Sequence, residues 1–263
     1  MNVEEEADKM KNYANDLLIF GVDSRKDKGL RNLPSKYLSI LLVKRNTEPF
    51  KERWSLPGGF INEFETSKEA SIRVLEKETG LKEVYMQQIG VNDEIDRDPR
   101  GRIISTSYMA LVDRTKIKDN LKENAKWFDI SIREENKIIS IILKNEKDVI
   151  QLSVRKETID KKSKEYEYSL IDNVLAFDHD KILVKGIMEL RNKVENTDIV
   201  FNLMPKLFTI GELKQVYEIL LGKQLVNSAF RRTIAEKIIV TDQQISTGGH
   251  RPSYLYKYNE SDN

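Results

Sequence analysis

Short apolar runs separated by polar turns fill the first part of the chain. NDLLIFGVD (15–23) and YLSILLVKR (37–45) are mostly apolar over a strand's length, the pattern of strands buried in a sheet. Between them SRKDKGLRNLPSK (24–36) is charged and carries Gly and Pro, so it reads as a loop. NTEPFKERWSLPGGF, with its Pro-Gly-Gly break, reads as a longer one. TSKEASIRVLEKETGL then changes to a helical pattern: Thr66 caps it, Glu69 completes a capping box three residues on, and Gly80 ends it. VYMQQIGVND (84–93) and RIISTSYMALVD (102–113) predict two strands around the polar turn EIDRDPRG, and AKWFDI (125–130) a further one.

Residues 131–173 hold more β-like runs (KIISIILKN, DVIQLSVRKE, YEYSLIDN), expected as an insertion that adds strands to the sheet or forms a hairpin. DHDKILVKGIMELRNKV (178–194) is amphipathic and predicts a helix with Asp178 as its cap, closing the first domain over about 179–195. After the connector ENTDIVFNLMPKLFT the pattern changes. IGELKQVYEILLG is a helix stopped by Gly222, VNSAFRRTIAEKIIV a second helix with Asn227 or Ser228 as cap, and KIIVTDQQISTGGHRPSYLYKY two β arms around a Gly-Gly turn. Helix, turn, helix and hairpin in succession describe a winged helix-turn-helix. The expected organisation is a polar arm over 1–12, an α/β domain over 13–197 and a winged-helix domain over 198–263.

Composition narrows the chemistry. Of 263 residues, 39% are apolar and 33% charged, enough for one large core or two ordinary ones. Lys+Arg 44 against Asp+Glu 43 removes any global attraction to nucleic acid or membrane, so a nucleic-acid surface must be local. With no cysteine there is no disulfide, thiol nucleophile or Cys-ligated zinc, which fits a cytoplasmic location. The first residues, MNVEEEADKM, have no apolar segment of a signal peptide, and no run approaches the ~20 residues of a membrane span, so no membrane partner is expected. The two histidines, His179 and His250, lie far apart; in FDHDK (177–181) a helix cap is the preferred reading over a metal site.

The stretch GFINEFETSKEASIRVLEKETGL resembles the Nudix box, G-x5-E-x7-R-E-U-x-E-E-x-G-U with U apolar. Gly59, Glu65, Arg73, Leu75, Glu78, Gly80 and Leu81 match, and WSLPGG precedes them as in that family. Positions 74, 77 and 78 share one helix face, where three carboxylates would hold Mg²⁺ against a substrate pyrophosphate. Here that face reads Val74, Lys77, Glu78, and Glu76 points elsewhere. One acid of three remains, and Lys77 puts an ammonium where a metal would sit.

With its C-terminal module the chain resembles the Nudix-related transcriptional regulators, which join a degenerate Nudix domain to a winged helix. The resemblance covers nearly the whole chain; 131–173 is longer than usual. It implies a Nudix-type α/β/α sandwich with a mixed sheet followed by a winged helix. It further implies a homodimer, bound to palindromic operator DNA and acting as a repressor. The effector would be ADP-ribose, a related nucleotide or a pentose, as in the NAD-metabolism and sugar branches. The effector pocket expected on this basis comprises Arg45, Gly58, Gly59, Phe60, Glu65, Arg73, Glu78, Arg97 and Arg100. No catalytic residue, metal or other cofactor is assigned. The alternative is a Mg²⁺-dependent hydrolase of ADP-ribose-like nucleoside diphosphates using Glu65 and Glu78 with a further acid such as Asp93 or Glu94. A third reading is a metabolite-binding adaptor whose winged helix contacts protein.

Charge supports DNA independently. From Phe201 to Tyr258 there are eight basic and four acidic residues, an excess of +4 in a chain of net charge +1. Expected contacts are Lys214, Asn227, Ser228, Arg231, Arg232 and Lys237 around the second helix, placing Arg231 and Arg232 early in it, with His250 and Arg251 at the hairpin tip.

Overall fold

The computed structural model describes residues 12–25, 34–117, 121–160, 162, 165–171, 173–246 and 252–262. A mixed sheet dominates, in the order β10 (Glu165–Leu170), β9 (Val149–Asp160), β8 (Ile138–Lys144), β7 (Ala125–Glu135), β2 (Ser35–Lys44), β1 (Tyr13–Arg25), β6 (Ile104–Asp113), β5 (Tyr85–Asn92). Its central strands are β1 (Tyr13–Arg25), β2 (Ser35–Lys44) and β6 (Ile104–Asp113), with β5 (Tyr85–Asn92) at one edge. β1 runs parallel to β6 and antiparallel to β2. Alternate β1 side chains enter two different cores, Leu18 and Phe20 on one face, Leu17 and Ile19 on the other. Burial on both faces explains why the strand reads as an unbroken apolar run.

The box helix α1 (Ser67–Thr79) covers the second face with Val74 and Leu75. Thr66 and Glu69 form the capping box, and Gly80 closes the helix at φ 75°. On the other face lies α2 (His179–Asn196), with Ile182, Leu183, Ile187 and Leu190 inward. Asp178 stands at its N-cap position but makes no side-chain cap bond, against expectation, because Arg97 holds its carboxylate. The loop expected at 46–60 contains two short strands, β3 (Trp54–Ser55) on β2 and β4 (Gly58–Phe60) on β1. A Cβ at Gly58 would stand 2.5 Å from the Asn15 carbonyl oxygen, so this close pairing needs glycine.

Residues 131–173 add strands to the main sheet. β7 (Ala125–Glu135) runs on past the expected end and continues through β8 (Ile138–Lys144), β9 (Val149–Asp160) and β10 (Glu165–Leu170) as an antiparallel meander. Ile139, Ile141, Leu143, Leu152 and Val154 extend the α2-side core.

The C-terminal part is a winged helix. A 3₁₀ turn (Ile199–Leu203) leads to α3 (Ile210–Leu221), α4 (Asn227–Ile234) and the hairpin β11 (Ile238–Ile245) with β12 (Ser253–Tyr258). α4 is capped at Val226 without a side-chain bond, so neither Asn227 nor Ser228 is the cap. Leu213, Val216, Tyr217, Phe230 and Ile234 belong to the same apolar core as the sheet. Lys36 of β2 pairs with Glu212 at 2.9 Å, and Arg191 of α2 donates to the Leu221 carbonyl at 3.0 Å. The winged helix is therefore packed onto the sheet and α2.

Candidate functional site

The box helix keeps the frame of a metal site and redirects its acids. Glu65 accepts two bonds from Arg73 and one from the Asn62 amide; these, Arg73 foremost, hold its carboxyl below the ordinary range. Arg73 also donates to the Phe60 carbonyl at 3.1 Å. Val74 is 3% exposed and packed in the core, and the Lys77 side chain is 64% exposed. Glu78 is buried and takes the Lys122 ammonium at 2.9 Å on Oε1, while its Oε2 has no partner. Mg²⁺ takes one or two carboxylates beside water and substrate phosphates, and this set does not fit the ion because one position is apolar core, one is cationic, and both surviving acids already hold a protein cation. Glu94, a suggested supplementary acid, is exposed and paired with Lys181 at 2.6 Å.

Beside the box lies a wall of aromatic rings and guanidinium groups. Arg45 stands over Phe177 at 4.7 Å, and Arg100 over Phe60 and Phe177 at 5.3 and 5.4 Å. Phe50 meets Phe177 edge-on at 5.0 Å and has Arg53 over its own face at 5.5 Å. Partial burial and the nearby Arg100 both lower the Arg45 pKa, because two positive groups converge with little solvent between them. Asp98 fixes Arg100 through bonds of 2.9 and 2.6 Å, leaving its side chain 43% exposed. Phe50 and Phe177 have φ of 64° and 57°, a left-handed conformation costly for bulky residues. Such a surface can stack a base or sugar, and the guanidinium edges that Asp98 and the Pro49 carbonyl leave open can bond a pyrophosphate. Arg45, Phe60 and Arg100 were legible in the sequence; Phe50, Arg53 and Phe177 were not, since no local pattern announces left-handed phenylalanines.

Arg97, expected to face the effector, is instead buried behind this wall. Its side chain is 3% exposed and bonds Asp178 at 2.9 and 2.7 Å and Asp16 at 2.9 Å. His179 completes the cluster: Nδ1 accepts from the Leu56 amide at 2.8 Å, so Nε2 carries the proton toward Asp16 at 3.2 Å. Burial alone would raise Asp16, but His179, Arg97 and Ser105 outweigh it and hold the carboxyl at about 2. Asp16, Asp178 and His179 place ligand-type atoms within 4.8 Å of one another, and the Arg97 guanidinium supplies the positive charge among them. Asp180 next door is raised to about 6 by burial, although it accepts bonds from the Val174 and Leu175 amides.

The winged helix presents a separate surface. Phe230 and Ile234 turn inward, while Asn227, Ser228, Arg231 and Arg232 are exposed. The two arginines lie in the last turn of α4, later than expected, because this helix is only eight residues long. Lys214 is not part of this surface: it is largely buried and bound to Glu218 at 2.6 Å, whose carboxylate also holds the Leu225 amide before α4. Lys237 pairs with Asp198. His250 and Arg251 lie outside the described residues.

Two family models match the chain, the NUDIX domain over residues 30–137 and the NrtR DNA-binding winged helix domain over residues 200–258. The chain is 29% identical over 248 residues to the ADPR responsive transcriptional repressor NtrR of Acinetobacter baylyi, covering 92% of this chain and 80% of that one. A 94-residue segment, 35% of this chain and 55% of the relative, is 43% identical to an ADP-ribose pyrophosphatase of Methanocaldococcus jannaschii. Among solved structures, Shewanella oneidensis NrtR complexed with a 27mer DNA aligns with a TM-score of 0.68 at 24% identity, over 94% of this chain and 93% of that one. A MutT/nudix family protein from Enterococcus faecalis aligns with a TM-score of 0.68 at 21% identity, over 98% and 94%. At these identities the two structures bear on the fold alone.

Proposed function

We propose that this chain is a Nudix-related transcriptional regulator, a DNA-binding repressor whose Nudix domain senses ADP-ribose or a close nucleotide relative. The observation that carries the reading is the fate of the box: Val74 is core, and Glu65 and Glu78 are bonded to Arg73 and Lys122. A hydrolase gains nothing from that pairing, whereas a sensor keeps the fold of the pocket without turnover. The wall of Arg45, Phe60, Arg100 and Phe177 suits a base and a pyrophosphate, which favours ADP-ribose over a free pentose. The response to ADPR that names the Acinetobacter relative points the same way.

Exposed Arg231 and Arg232, with Asn227 and Ser228 at the helix N-terminus, are the expected base and phosphate contacts. One such head offers few contacts, so a homodimer on a palindromic site is expected. A regulator of this kind works in the cytoplasm with the DNA; no helix among the described residues is long and apolar enough to cross a membrane. α2 offers the route of coupling: it begins at the Asp178–Arg97 cluster and ends with Arg191 bonded to α3. An effector acts through it only by binding the two DNA-affinity states unequally.

The hydrolase reading retains one argument, the identity to the archaeal pyrophosphatase. Titration calorimetry with ADP-ribose, ADP and arabinose, with and without Mg²⁺, separates the two. ADP-ribose is expected to bind without Mg²⁺ and to bind about 10- to 100-fold more weakly in Arg100→Ala, the worth of one or two charge-assisted bonds. Steady Mg²⁺-dependent cleavage, abolished by Glu78→Gln, would contradict it.

A further inference from the structure

We propose that Val226 reads a thymine methyl group in each half-site of the operator. The inference rests on the DNA-binding reading above and adds a base-specific contact to it. Val226 stands directly before α4, at its N-cap, with φ −72° and ψ 124°. It is 70% exposed, more than any other large apolar side chain described in the winged helix, and it belongs to neither apolar core. Its main chain is held on both sides. The Phe230 amide donates to the Val226 carbonyl at 2.9 Å. The Leu225 amide donates at 2.7 Å to Glu218, which Lys214 holds at 2.6 Å.

A valine in this place serves the helix badly. An N-cap position favours Ser, Thr, Asp or Asn, whose side-chain oxygen takes a first-turn amide. α1 and α3 follow that rule, opening with Thr66 and Thr209 in complete capping boxes. α2 lacks a cap bond because Arg97 claims Asp178. α4 lacks one with no such competitor, although Asn227 and Ser228 stand next in the chain. Single exposed apolar residues are ordinary on a surface. An apolar residue that costs a helix its cap is not, and local rules of this kind are broken where function needs it.

Its place in the fold selects its partner. A helix-turn-helix sets the N-terminal residues of its second helix against base edges in the major groove. A valine side chain has no donor or acceptor to offer there. The apolar group that a base pair presents in that groove is the thymine C5 methyl. Arg231 and Arg232 lie at the other end of α4 and carry its charge. Phosphate attraction and preference for thymine are thereby divided between the two ends of one short helix.

The test uses duplexes of the site enriched from genomic fragments, with each thymine replaced in turn by uracil. Uracil removes the methyl and keeps every hydrogen-bonding group. Binding by the full chain is read by fluorescence anisotropy. One thymine per half-site is expected to respond: uracil there weakens binding about 4-fold, and about 15-fold in both half-sites together, the worth of one and two buried methyl groups. Val226→Ala is expected to bind the thymine and uracil duplexes equally, with an unchanged slope of affinity against salt. Val226→Ser is expected to lose the same discrimination while its melting temperature holds or rises, because serine can cap α4. An enriched site with no responsive thymine, a methyl effect that persists in Val226→Ala, or a fall in melting temperature in Val226→Ser overturns this inference and leaves the DNA reading standing. No enriched site overturns both.

Discussion

Replacing Arg97 by Met separates a structural arginine from a ligand-binding one. Arg97 makes three charge-assisted bonds to Asp16 and Asp178, whose side chains are 9% and 8% exposed. Met fills the volume and leaves two buried carboxylates without their cation, Asp16 keeping His179 and the Ser105 hydroxyl. Breaking a buried pair from one side costs about 3–5 kcal/mol, and a domain of this size loses roughly 2–4 °C of Tm per kcal/mol. The expected fall is therefore roughly 6–20 °C. Acid sensitivity moves as well: without the guanidinium the Asp16 carboxyl rises from about 2, so its stabilising contribution is lost at a higher pH as acid is added. Thermal denaturation between pH 3 and pH 7, beside ADP-ribose titration, reads both effects. Arg100→Ala should do the reverse, keeping Tm and losing ligand. An Arg97→Met protein that melts with wild type yet binds no ADP-ribose would refute the assignment.

Other expectations follow from single interactions. Asp180 is raised from 3.8 to about 6, so the stability it contributes is full below pH 3.8 and lost as pH rises through 6. Asp180→Asn should flatten a fall on the order of 2–3 kcal/mol across that window in a denaturant series; an unchanged slope would assign it elsewhere. Arg231→Ala or Arg232→Ala should weaken DNA binding and reduce the salt slope by about 0.9 for each phosphate no longer neutralised, measured by fluorescence anisotropy against salt. Arg191→Met removes the bond from α2 to the Leu221 carbonyl; DNA affinity should survive while its response to effector shrinks, and an undiminished response would show that coupling takes another path.

Local rules made much of this fold readable. Thr66, Glu69 and Gly80 set the box helix, and the winged helix followed from its own succession of elements. The fate of the box was half legible: Val74 and Lys77 show the missing acids, but only the fold brings Lys122 to Glu78 across 44 positions. Arg97 and Arg100 read alike in the turn DRDPRG; tertiary packing buries one against Asp16, 81 positions away, and leaves the other on aromatic rings. Asp178 was read as a cap because its position is right, and a distant arginine competes for its carboxylate. The meander over 131–173 was ambiguous because strand patterns do not say which edge they extend.

Selection of genomic fragments by the purified protein at near-physiological salt asks whether it reads a specific DNA site. There, non-specific phosphate binding is suppressed. A sensor that reads DNA enriches a short palindromic site and changes its occupancy when ADP-ribose is added. No enriched site from folded protein, together with Mg²⁺-dependent cleavage of ADP-ribose, would contradict it.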